Sequence, residues 1–153
     1  MKIKNYYTHF PAVQSISEIE RVLVAFGANR IMKDYKGDSS VRSLVFSYQG
    51  IVYKLPANVE KVFVVITKGR HIKSKDSEKR QAERIAWRVL RDWIHIQLSL
   101  IEIGQAEWQQ VLLPYAFNGE KTLYEIVTER KMGIAGLLTN SLKSQENVEE
   151  ANP

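Results

Sequence analysis

Apolar positions recur at three- and four-residue steps in two parts of the chain and at two-residue steps between them. In the first part Ile16, Ile19, Val22, Leu23 and Phe26 fall on one face of a helix. Ser15 and Glu18 have the spacing of a capping box, and Gly27 stands where a left-handed glycine ends a helix. Three strand-like runs follow, Asn29–Tyr35, Val41–Tyr48 and Ile51–Leu55. Lys36 to Ser40 is turn chemistry, and Gln49-Gly50 suits a hairpin. Pro56 ends the third run, because proline has no N–H to give to a ladder.

Residues 58–67 carry two signals. Val59, Val62, Phe63 and Ile66 have helical spacing behind an Asn58 cap, whereas Val62 to Thr67 has the composition of a strand. The spacing favours a helix. After a basic link, Lys68 to Lys75, comes the longest element, predicted from an Asp76 cap to Gly104. Its apolar stripe runs through Ala82, Ile85, Ala86, Val89, Trp93, Ile96, Leu100 and Ile103, widened by Trp87, Leu90, Ile94 and Ile101. Trp93 is expected in the core. Ile94 to Leu100 also alternates as a strand would, but no turn residue interrupts the helical register. Ala106–Leu113 reads as a short helix stopped by Pro114. Thr122 and Glu125 form a second capping-box pattern, opening a helix that ends near Arg130 and Lys131. Gly133-Ile134-Ala135-Gly136 reads as a helix break.

The order is an N-terminal helix, a small three-stranded antiparallel sheet, then a helical C-terminal part with one long central helix. That is an α+β fold with the helices on one face of the sheet. The 153 residues suit one domain, 1–142, followed by a disordered acidic tail, 143–153. No cysteine is present, so disulfides and thiolate chemistry are excluded. Nothing resembles a signal peptide or a membrane span, and a cytoplasmic protein is expected.

Charge changes the picture most. Between Lys68 and Arg91 stand nine basic residues, Lys68, Arg70, Lys73, Lys75, Lys79, Arg80, Arg84, Arg88 and Arg91, against Asp76, Glu78 and Glu83. That segment nets +6 where the whole chain nets +5, so the remainder nets −1. On a helix Arg80, Arg84, Arg88, Arg91 and His95 lie within roughly 80° of one another over about 22 Å. Such a row can follow several phosphates, and the planar guanidinium suits phosphate oxygens. The other reading is a solvated helix face with the pairs Asp76–Arg80 and Arg88–Asp92. His95 reads as an edge of the buried stripe. Tyr6, Tyr7 and Phe10 precede the first helix, while Phe46, Tyr48 and Tyr53 lie on the hairpin; an exposed aromatic row on a sheet could stack bases, although strand aromatics also fill cores.

Other chemistries find little support. His9, His71 and His95 lack metal-ligand spacing. Glu129-Arg130-Lys131 has the form of a nuclease ExK without a strand partner, and Asp34 lacks a second carboxylate at strand spacing. No phosphate-binding loop, dinucleotide fingerprint or serine elbow occurs, so neither a cofactor nor an enzymatic activity is expected.

The stretch Gln81-Ala82-Glu83-Arg84-Ile85-Ala86-Trp87-Arg88, with Asp92-Trp93, Gln97, Leu112-Leu113-Pro114-Tyr115 and Thr122-Leu123-Tyr124-Glu125, resembles a group of small proteins from bacterial phages, prophages and plasmids. Phe26-Gly27-Ala28 and Tyr53-Lys54-Leu55-Pro56 extend the likeness over roughly residues 15–130. The group has no established activity, so the resemblance implies a mobile-element setting and no mechanism. The order helix–strand–strand–strand–helix, with Lys79 to Ala86 opening the last helix, also resembles the double-stranded-RNA-binding domain. About twenty residues separate Leu55 from Lys75, where that family uses a short loop. Together these features predict a non-enzymatic nucleic-acid-binding accessory protein, with DNA or RNA as partner. The alternative is a module that binds an acidic protein surface. No membrane partner is expected.

Overall fold

The computed structural model describes residues 2–37, 39–130 and 133–139. The acidic tail beyond Leu142 lies outside the described residues, as does Lys131. Helix α1 spans Ala12–Ala25, strands β1, β2 and β3 span Asn29–Tyr35, Val41–Tyr48 and Ile51–Pro56, and helix α2 spans Val59–Thr67. The long helix α3 is Lys75–Glu102, followed by α4, Trp108–Leu112, a tight turn of helix at Leu113–Tyr115, and α5, Leu123–Glu129. A last helix, α6, covers 133–139. The α+β architecture is therefore as expected, and helix is what residues 59–67 adopt. Among the described residues no helix is long and apolar enough to cross a membrane.

The sheet is antiparallel in the order β1-β2-β3. Gln49 and Gly50 both take positive φ, 48° and 79°, the two-residue turn that matches the twist of the strands it joins. Tyr48 consequently pairs with Ile51, and Phe46 with Tyr53. On the face carrying Leu44, Phe46, Tyr53 and Leu55 the side chains are almost wholly buried under the helices. Trp108 fills the end of this layer. Its ring centroid lies 4.0 Å from Tyr48, 5.8 Å from Tyr53 and 6.2 Å from Phe46. The hairpin aromatics are thus core fillers, and none is free to stack a base. The outer edge of β3 is covered, because the Phe117 N–H donates to the Val52 carbonyl at 2.8 Å and Ala116 bridges Tyr53.

Two caps differ from the sequence reading. Helix α1 starts at Ala12 behind Pro11, so Ser15 is a buried residue inside the helix and no cap. Proline holds φ at −57° and leaves the chain extended, which sets the entry angle before any serine is needed. Glu18 is then free to turn outward from α1. Helix α3 is capped by Ser74, whose hydroxyl accepts from the Ser77 N–H at 3.3 Å. Asp76 falls in the first turn instead, where its charge suits the helix dipole. Glu107 and Gln110 form a capping box that opens α4. The expected box at Thr122 and Glu125 is present with both bonds. The run Gly133-Ile134-Ala135-Gly136, expected to break a helix, falls where the chain passes from α5, which ends at Glu129, to α6: Gly133 takes a positive φ of 57°, and α6 begins with it.

Helix α3 presents two apolar faces. Ala82 and Ile85 with Val89 meet Ile66, Val59 and Val62 of α2. Ala86, Trp87, Ile94 and Leu98, with Leu90 and Ile101, meet α1 and the sheet. Nine residues of α2 make about 13 Å of helix against about 42 Å of α3. Past α2 the first face opens to solvent, and Ile96 and Ile103 are 54% and 70% exposed. The expected stripe is therefore covered at Ala82, Ile85 and Ala86 and partly at Trp93, whereas its far positions Ile96 and Ile103 lie open. Trp93 itself is half-buried against Tyr115, with ring centroids 5.4 Å apart, while Trp87 is fully buried. Trp87→Ala is expected to destabilise the fold by about 3–5 kcal/mol and Trp93→Ala by no more than about 2 kcal/mol, measured by denaturant unfolding. Equal losses would place the helix axis differently.

Candidate nucleic-acid interface

The nine basic residues divide into two groups that the helical wheel alone does not separate. Arg88 and Arg91 are only 17% and 27% exposed, because α1 brings Glu18 against both. Glu18 accepts from Arg91 Nε and, at 3.4 Å, from Arg88 Nη1. Asp92 completes the cluster, 3.1 Å from Arg91 and 3.9 Å from Arg88. The pair Arg88–Asp92 is one of the two pairs expected of a solvated face, but here it is part of a half-buried network. Arg88 also lies over the Phe10 ring, 4.4 Å from its centroid. His95 flanks the network. Burial lowers its pKa, with Arg91 adding to the effect against Glu18 and Asp92, which favours the neutral ring.

The other group faces solvent. Lys68, Lys73, Lys75, Lys79 and Arg80 are exposed, and none is joined by a salt bridge to a described residue. No Asp76–Arg80 pair forms. Arg70 is tied down, donating to the Tyr6 hydroxyl at 2.9 Å and the Ile66 carbonyl at 3.0 Å while facing Glu78 at 3.5 Å. Arg84 is half-buried and touches one polar atom, the Gln81 side-chain oxygen at 3.5 Å. Seven of the nine therefore lie on the link and the first three turns of α3, with two inside the fold.

Residues 4–10, which no sequence motif marked, run along α3 and shape its surface. The Asn5 amide donates to Asp92 at 3.0 Å, and Lys4 pairs with the same carboxylate at 2.8 Å. The Gln81 amide donates to the carbonyls of Tyr6 and Thr8, both at 3.1 Å. Ile3 and Tyr6 pack on the Ile66–Ala82–Ile85 cluster. A ridge results, with Tyr7 70% and Phe10 46% exposed along it. On one side lies a groove of about 450 Å³ lined by Tyr6, Tyr7, His9, Arg70, Arg80 and Arg84 among others. On the other lies one of about 560 Å³, where Lys2, Phe10 and Arg88 join the same ridge. The available signals were the row Tyr6, Tyr7 and Phe10 and the donor Gln81; their meeting place depends on tertiary packing.

The carboxylates considered for metal chemistry are engaged elsewhere. Asp34 accepts from Ser43 and faces Lys54, and Glu129 pairs with Lys121. No family model, curated protein or solved structure matches the chain.

Asp92 offers a test of the network. Burial works against its charge most strongly, but hydrogen bonds from Lys4, Asn5 and Arg91 outweigh that and bring the carboxyl down to about 2. A depressed carboxyl stabilises the fold fully above its unfolded value of about 4 and loses that contribution as pH falls through its folded value. The contribution at neutral pH is about 1–2 kcal/mol after allowance for solvent screening. The melting temperature of Asp92→Asn is expected to lie below that of the parent above about pH 5, with the gap closing as pH falls toward 2. A gap constant across that range would remove Asp92 from the network.

Proposed function

We propose that this is a non-enzymatic nucleic-acid-binding accessory protein, in the mobile-element setting that the sequence resemblance implies. Phosphates meet the lead-in and the first turns of α3. One observation carries this reading: Lys68, Lys73, Lys75, Lys79 and Arg80 stand exposed together with no salt bridge to a described residue. Long cations left in water beside one another repel, and nothing in the fold needs them there. A polyanion would offset that repulsion and release its own counterions. Arg84 extends the cluster into the groove.

The alternative partner, an acidic protein surface, would meet the same cations. It has less use for the exposed ring of Tyr7, which lines one groove with Arg80 and Arg84 and suits a planar base. The reading also assigns different work to the two halves of the arginine row. Arg80 and Arg84 serve binding, whereas Arg88 and Arg91 hold α1 to α3.

Lys79→Gln/Arg80→Gln/Arg84→Gln is expected to keep the parent's melting temperature and to weaken oligonucleotide binding alike across sequences. The slope of log affinity against log salt should shrink by roughly 0.7–0.9 per lost phosphate contact. Arg88→Gln/Arg91→Gln should instead lower the melting temperature, because Glu18 would be left half-buried without a partner. Unchanged affinity in the triple variant would remove these residues from the interface. Capture of a protein that survives nuclease treatment, with no oligonucleotide binding at any salt, would favour the alternative.

A further inference from the structure

We infer that the two grooves beside the N-terminal ridge take consecutive unstacked nucleotides of a single strand, phosphates on Arg80 and Arg84 and bases against Tyr7 and His9. The inference rests on the nucleic-acid reading above and makes it specific. Size is the first argument. A groove of about 450 Å³ has room for a single nucleotide.

Chemistry is the second argument. One wall is a single helix face, Ser77, Arg80, Gln81 and Arg84, at steps of three, four and seven residues. The opposite wall is aromatic, Tyr6, Tyr7 and His9, and Ile66, buried between α2 and α3, also lines the groove. Arg70 is already bound to Tyr6, Ile66 and Glu78, so the guanidinium groups of the groove with no salt bridge to a described residue are Arg80 and Arg84, the latter donating to the Gln81 side chain at 3.5 Å. Two cations facing rings make a site for a phosphate with a flat apolar group attached. Bases inside a duplex expose only their edges, while an unstacked base offers a whole face.

The ridge supplies continuity. Tyr6, Tyr7 and His9 line both grooves, so a strand leaving the first crosses them into the second, where Phe10 and Lys2 stand. Lys2 Nζ lies 4.2 Å from the Tyr7 ring centroid, which places a further cation at the crossing. Arg88 in the second groove remains bound to Glu18 and contributes packing under Phe10. The ridge is held before any ligand arrives, by Gln81 on two carbonyls and by Asp92 on Asn5 and Lys4. A platform ordered in advance loses little entropy on binding.

The test measures the affinity of the full chain by fluorescence anisotropy for three probes at one salt concentration: a short oligothymidylate, the same strand paired with oligoadenylate, and adenosine monophosphate as competitor. The parent and two variants, Tyr7→Ala/His9→Ala and Arg80→Gln/Arg84→Gln, are compared, each checked by thermal melt. The expected result is single-strand binding about tenfold or more tighter than duplex binding. Tyr7→Ala/His9→Ala should weaken the single strand by about 5-fold to 150-fold, the worth of one stacked base, and leave the duplex nearly unchanged. Arg80→Gln/Arg84→Gln should weaken both. Equal affinity for single strand and duplex, with no effect of Tyr7→Ala/His9→Ala, overturns this inference and leaves the phosphate reading standing. Competition by the mononucleotide at the strand's own affinity also overturns it, since the occupant would then be a free nucleotide. Binding of none of the three overturns both readings.

Discussion

Glu18 on α1 sits between Arg88 and Arg91 of α3, and the rest of the arrangement follows from that contact. Charges taken half out of water must find partners, and here one carboxylate serves two guanidinium groups. Asp92 takes the remaining bonds of Arg91 and reaches on to Lys4 and Asn5. The chain of contacts therefore runs from the first helix through the long helix to the N-terminal segment. It fixes how α3 is rotated about its axis, and hence which of its arginines are used inside the fold. Arg84 and Arg80 lie one and two turns before Arg88, beyond the reach of Glu18, and neither pairs with it.

Packing of α2 sets the other half of the geometry. Its Val59, Val62 and Ile66 lie on the first half of α3, against Ala82 and Ile85. The link from Lys68 to Ser74 joins the two helices, and its Arg70 faces Glu78 in the first turn of α3. The same cluster supports Tyr6, so a single apolar contact underlies both the basic lead-in and the aromatic ridge. Ser74 then starts α3 without any side chain from outside the link. In a dsRNA-binding domain a short loop would stand where this chain has α2.

Local chemistry was readable in the residues wherever a feature is satisfied by near neighbours. The turn at Gln49-Gly50, the strand limits, the box at Thr122 and Glu125 and the helix over 59–67 all depend on residues within a few positions of one another. What was not readable depends on distant partners. Ser15 and Glu18 have capping-box spacing, yet Pro11 already begins the helix and Glu18 has a partner seventy positions away in Arg88. Trp93 lies on a regular stripe, but α2 is too short to cover that far along α3. The arginine row has an even helical phase, and only the placement of α1 divides it. The clustering of charge was plain from composition; its division into a structural part and a free part was not.

That division is the central claim, and arginine-specific labelling with phenylglyoxal, read out by mass spectrometry with and without a saturating oligonucleotide, tests it most directly. Arg80 is expected to react readily in the free protein, Arg84 more slowly, and both should be protected by the oligonucleotide. Arg88 and Arg91, held by Glu18 and Asp92, are expected to react slowly in both samples. Rapid labelling of Arg88 and Arg91 in the free protein, with protection equal to that of Arg80 when oligonucleotide is added, would contradict the claim and restore the whole row as one continuous binding surface.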